Sequence, residues 1–173
     1  MPATVGSQIV RGQTTVLAGD TLGSTTSATP FGTSWAMPAN FLTVGRAVQI
    51  VARGVYSTAG VAPGNLTFDV LGGTYVLCTT GAQALTLGLG NNGWELTADV
   101  ICGTTGVGGA VEAQGFVLMQ IGALTVNDIF MVNTAGVSFD TTLAKNIGLQ
   151  TTFSATGNTI TQRQLFVEIG GRQ

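Results

Sequence analysis

The sequence predicts an all-β fold, an antiparallel sandwich or barrel, and three observations carry that expectation. Glycine and threonine together make up a large share of the chain, with 26 Gly and 27 Thr in 173 residues. Threonine is β-branched and suits a pleated surface, while glycine supplies the backbone angles of tight turns. Apolar and polar residues alternate with period 2 in several runs, and Gly-rich clusters separate those runs at short intervals. No stretch offers apolar residues at the i, i+3, i+4, i+7 spacing of an amphipathic helix.

Taken in order, residues 1–30 hold sparse apolar positions, Val5, Ile9, Val10, Val16, Leu17 and Leu22, in a Gly/Ser/Thr background. They are too few to pack on one another, so an N-terminal arm with one or two short strands is expected. Val5, Ile9, Val10, Val16 and Leu17 would anchor it on a neighbouring subunit or another protein by strand addition. Residues 31–173 are expected to form a single domain, long enough to bury a core. Trp35 to Asn40 reads as a strand end and turn, with Pro38 limiting the pairing.

The clearest alternation is Trp94, Leu96, Ala98, Val100 and Cys102 against Glu95, Thr97, Asp99 and Ile101. That pattern describes a half-buried antiparallel strand. Val48, Ile50, Ala52, Gly54 and Tyr56 alternate likewise with Gln49, Val51, Arg53 and Val55, as do Leu66, Phe68 and Val70 with Thr67 and Asp69. In residues 110–120, placing Val111, Ala113, Val117 and Met119 in the core turns Phe116 and Leu118 outward. The closing strand sets Leu165, Val167 and Ile169 inward and Gln162, Gln164, Phe166 and Glu168 outward. In all, eight to ten strands are expected. Outward apolar residues on a sheet need a cover, so Val51, Val55, Phe116, Leu118 and Phe166 are the candidate oligomer interface.

Composition narrows the function. Only 8% of residues are charged, the net charge is −2, and there is no histidine. Average soluble domains carry about 25% charged residues, so covering of the surface by other protein chains is expected. Six scattered Lys and Arg make no basic patch for nucleic acid. Without an imidazole, the usual triads and zinc sites are missing their central group. Cys78 and Cys102 lack CxxC spacing and read as small buried hydrophobes, so no metal, cofactor or catalytic residue is expected. No signal-like segment opens the sequence and no apolar run reaches the length of a membrane span, so synthesis in a cytoplasm and no membrane partner are expected.

Three motifs have plain readings. Gly88 to Gly93 spells GxGxxG but leads into a strand pattern, where a dinucleotide site needs a helix, so it is expected to be a loop. Glu95 and Glu112 could face each other as a glycosidase pair only if long-range folding brings them together. Trp35 and Trp94 could stack on a sugar, although a Trp heading an alternating strand belongs more often to the core.

The run Trp35 to Arg46, the segment Ala52 to Thr58, the strand start Asn92 to Leu96 and the late Asn158 to Thr161 resemble structural proteins of tailed-bacteriophage particles. The resemblance covers roughly residues 30–169. It implies a jelly-roll-like sandwich acting as a capsid decoration or cement protein, often a homotrimer, located in the virion and bound to the major capsid protein. The alternative it admits is a tail-fibre or baseplate module that binds a receptor or carbohydrate.

Overall fold

The computed structural model describes residues 8–14, 19–23, 25–122, 124–133 and 135–171, and the side chains of residues 19–170 within those ranges. Val5, Val16 and Leu17 lie outside the described residues. Ile9 and Val10 are described in backbone only.

The described residues form thirteen strands and no helix. They are β1 (Gln8–Thr14), β2 (Asp20–Gly23), β3 (Thr29–Met37), β4 (Arg46–Ser57), β5 (Asn65–Gly72), β6 (Tyr75–Thr79), β7 (Gln83–Ala84), β8 (Asn92–Thr104), β9 (Ala110–Gln120), β10 (Val126–Val132), β11 (Val137–Ser138), β12 (Lys145–Phe153) and β13 (Thr159–Gly171). The surplus over the expected number lies in short pieces such as β7 and β11.

All pairings are antiparallel, in the order β1-β13-β4-β8-β9-β10-β6-β5-β12-β3. β2 pairs with β13 beside β1 and lies against β3 at the far end of that order, where Asp20 Oδ2 accepts a hydrogen bond from the Thr33 backbone N–H at 2.8 Å. The sheet therefore curls back on itself into a nearly closed, barrel-like shape. β3 opens at Thr29, and β1 and β2, which lie within residues 1–30, pair with β13 in the same sheet.

The interior is filled by the inward set of each strand. Ile50, Leu96, Val117, Leu149 and Val167 are fully or almost fully buried, which is the half-buried alternation expected of these runs. Trp94 is 3% exposed and packs on Phe31 of β3 and Phe68 of β5, with ring centroids 6.4 and 5.2 Å away. Its indole N–H donates to the Val55 carbonyl at 3.3 Å. Trp35 is also buried, edge-on to Phe41 at 5.2 Å. Neither indole is available as a sugar platform.

Close sheet curvature shows where strands meet glycine. A Cβ at Gly115 would lie 2.3 Å from the Thr97 carbonyl oxygen, and one at Gly54 would lie 1.8 Å from that of Thr161. Gly54 faces β13 at a bulge, where the register with β4 shifts between Gln162 and Gln164. That bulge overturns one expectation. The extra residue, Arg163, reverses the phase of the strand, so Gln162 points inward and is buried, with its Oε1 lacking a hydrogen-bond partner among the described residues.

Candidate functional site

Because strands alternate, the inward set on β13, β4, β8, β9 and β10 leaves the outward set on one continuous external face. Its register is set by the ladders. Phe166 stands opposite Val51, Val51 opposite Thr97, Thr97 opposite Phe116, and Phe116 opposite Phe130. One row of side chains thus crosses five strands, and four of its five members are apolar.

Of the five residues expected at an interface, Val51, Phe116 and Phe166 share this row. Leu118 lies in the next row, which runs Gln164, Arg53, Glu95, Leu118 and Asp128. Val55 is one row further, opposite Gly93. All five are on the outer face, half-buried or exposed. Val55, however, is separated from Leu118 by β8.

Three exposed apolar residues were not legible beforehand. Phe130 is 78% exposed, Leu124 at the β9–β10 turn is 99% exposed, and Val126 is exposed beside it. Leu118, Leu124 and Val126 line one shallow groove with Glu95 and Gln120. The alternation of β10 could have signalled this, but both of its faces carry apolar residues, so period 2 alone does not say which is buried.

The same face gathers acid. Glu95, Asp99, Glu112, Asp128 and Glu168 are on it, five of the chain's eight carboxylates. Arg53 stands among them and makes two hydrogen bonds to Glu95, at 2.8 and 3.2 Å. That pairing raises the Arg53 pKa above its ordinary value, first through the hydrogen bond and then through the charge. Gln49 Nε2 donates to Asp99 at 3.0 Å. Glu95 and Glu112 do not form a catalytic pair, since Glu112 stands opposite Ile101, six residues along β8 from Glu95. At strand rise that separates them by about 20 Å.

Elsewhere one carboxylate on the polar side of its strand is withdrawn from solvent. Asp69 is buried in the middle of the β6–β5–β12 surface, where Gln150 Nε2 donates to it at 2.8 Å. Cys78 and Cys102 are free and buried, as expected. Burial, with the Asp69 charge as a smaller cause, pushes the Cys78 thiol up to about 12. Among the described residues, no group of three or more His, Cys, Asp and Glu could hold a metal ion. The GxGxxG run leads into β8, and its Leu89 and Gly88 backbones bond to Thr58 and Ala59. Its glycines therefore shape a loop held against the end of β4.

No known protein family matches the chain, and no curated relative is found.

Proposed function

We propose that the chain is a structural protein of a virion, a capsid decoration or cement protein that binds the major capsid protein and works as a homo-oligomer, most simply a trimer. Within this proposal the barrel corresponds to the jelly-roll-like sandwiches of such particles. The observation that carries it is the apolar row Phe166, Val51, Phe116 and Phe130 on the outside of a weakly charged domain. Uncovered, such a row favours aggregation, and closed symmetry is the usual way to bury it.

The acid on the face bears on the symmetry. Two copies stacked through this same face would set their carboxylates against one another, and like charges so placed cost several kcal/mol. A heterologous ring avoids this, because each copy offers one end of the row to the other end in its neighbour. In a trimer the Phe116 and Leu118 end of one copy then meets the Phe166 end of the next. No chemistry is required of such a protein, only placement.

Sedimentation of the full chain at micromolar concentration tests the assembly, and cosedimentation with undecorated phage heads tests the location. A 17.6 kDa monomer that leaves heads bare overturns the proposal. Binding to an immobilised glycan in place of heads would favour the receptor-binding alternative.

A further inference from the structure

The sheet has an edge in an unusual place. β10 pairs with β9 at every position from Val126 to Val132, but it meets β6 only where Val132 stands opposite Thr79. From Val126 to Met131 the other side of its backbone therefore faces no strand among the described residues. Side chains on and just before the strand make that edge stickier, since Val126 and Phe130 are exposed and Leu124, in the preceding turn, is fully so. Natural edge strands are normally guarded by lysine, proline or a bulge. β10 has none of these, only Asp128.

The opposite end of the same run of strands is open as well. β1 pairs with β13 through one edge, and no strand among the described residues lies on its other. We propose that the free edge of β10 is filled by β1 of a second copy, so that the run β1-β13-β4-β8-β9-β10 continues from subunit to subunit. This rests on the homo-oligomer proposed above and specifies how it is joined.

Three features select that partner. First, the run has six antiparallel strands, and an even number leaves its two edge strands pointing in opposite directions. Joining them head to tail therefore gives antiparallel pairing with no change of direction. Second, Gly12 stands opposite Phe166, which places it in the apolar row. With Gly12 of one copy opposite Phe130 of the next, the row runs on as Phe116, Phe130, Gly12, Phe166, and a glycine leaves room for a large neighbouring ring. In the same register Thr14 falls opposite Asp128, a polar pair. Third, the competing arrangement, β10 against β10 about a twofold axis, opposes Val126 to Phe130 only by setting Asp128 directly against its own copy. Like charges directly opposed across strands are destabilising.

The test uses the full chain carrying a single substitution, Gly12→Cys or Phe130→Cys. The native thiols are buried and serve as internal controls. Each variant is first checked for an unchanged circular dichroism spectrum and for its sedimentation, and the two are then mixed and mildly oxidised. The expected product is a disulfide-linked pair of mixed composition by intact mass, at least tenfold above the yield from either variant alone. Thr14→Cys mixed with Asp128→Cys repeats the test at the neighbouring position, in case the first pair disturbs folding. A Val126→Cys and Phe130→Cys mixture that cross-links more than both of these pairs overturns the inference in favour of the twofold arrangement, which sets those two residues opposite each other. Oligomers that sediment intact yet give no mixed cross-link from either pair overturn it while leaving the homo-oligomer standing. Monomers by sedimentation overturn both.

Discussion

Phe116 on β9 stands directly opposite Phe130 on β10, and both rings are exposed, to 38% and 78%. Two phenylalanines side by side on an outer face add nothing to the interior, where Val117 and Met131 already fill the space beneath them. Their cost in an isolated monomer is solubility, and in the proposed assembly they serve as contact. The neighbouring carboxylates, Asp128 on β10 and Glu95 on β8, sit in the adjacent row and limit which surfaces can approach.

It follows that changing either ring separates assembly from stability. Phe116→Glu or Phe130→Glu should convert the oligomer to monomer in a sedimentation experiment. Because both sites are exposed, the monomer's own unfolding free energy should change by no more than about 0.5 kcal/mol. Leu96→Ala, at a fully buried position of β8, should do the reverse to the fold, costing about 2–5 kcal/mol. For a chain of this size that lowers the melting temperature by about 5–15 °C. Equal thermal losses in all three variants would place the phenylalanines in the structural core instead.

The Arg53–Glu95 pair should count for little. Its side chains are 49% and 37% exposed, so solvent screens the attraction, and Glu95→Gln is expected to cost under about 1 kcal/mol in denaturant titrations. The difference should shrink further between 0.05 and 1 M salt, as expected of an exposed pair at about those ionic strengths.

What the sequence revealed and what it hid follow from the same rule. β8 was legible because one of its faces is apolar and the other polar, so period 2 identified Trp94, Leu96 and Ala98 as core. Phe116 and Leu118 were legible by elimination, since Val111, Val117 and Met119 claim the inner side. β10 was not, because Ile129 and Met131 compete with Val126, Phe130 and Val132 for the interior, and only the tertiary fold decides between them. Gln162 was misplaced because a bulge is one inserted residue, and nothing in the pattern marks Arg163 as that residue. Asp69 keeps the side of β5 that the alternation gives it, but its burial beside Gln150, 81 residues away, lies beyond any local signal.

Two buried acids of high pKa should make the fold sensitive to alkali. Tyr56 donates its hydroxyl to the Gln120 carbonyl at 2.9 Å, and burial raises its pKa from 10.0 to about 12. Cys78 rises from 9.0 to about 12. Each group is held protonated in the fold, so its contribution is fully present below the unfolded pKa. It declines as pH rises toward the folded value. Stability should therefore be level near neutrality and fall from about pH 9 to 12, read as a falling midpoint in urea. Thiol reagent at pH 8 should label neither cysteine until the chain unfolds.

The close approaches at Gly54 and Gly115 predict large effects from one methyl group. At both positions the obstructing atom is backbone carbonyl oxygen, which cannot rotate away as a side chain would. Gly115→Ala and Gly54→Ala should each cost about 1–3 kcal/mol or more through displaced strands. Gly88→Ala is a useful contrast, because a Cβ there meets nothing within 4 Å and only its positive φ of 70° is strained. Its loss should be smaller, about 1–2 kcal/mol. Equal melting temperatures for Gly54→Ala and the parent chain would show that β13 gives way at its bulge without cost.

Removal of residues 1–23 tests the arm and the assembly together. That segment contains β1 and β2, which lie end to end along one edge of β13, on either side of the bulge at Arg163. The inward residues of β13, among them Leu165 and Val167, remain covered by the body of the barrel, and β13 keeps its whole ladder with β4. The truncated chain should therefore fold, with a strand-rich circular dichroism spectrum and a cooperative melt. It should nevertheless sediment as a monomer, because the strand offered to the β10 edge of the next copy is gone. A free β13 edge left by the deletion would in turn accept an added strand, so a synthetic peptide of residues 8–23 should bind the truncated chain and restore the oligomer. If the truncated chain assembles as well as the full chain without peptide, the arm plays no part in joining subunits, and the apolar row must make that contact alone.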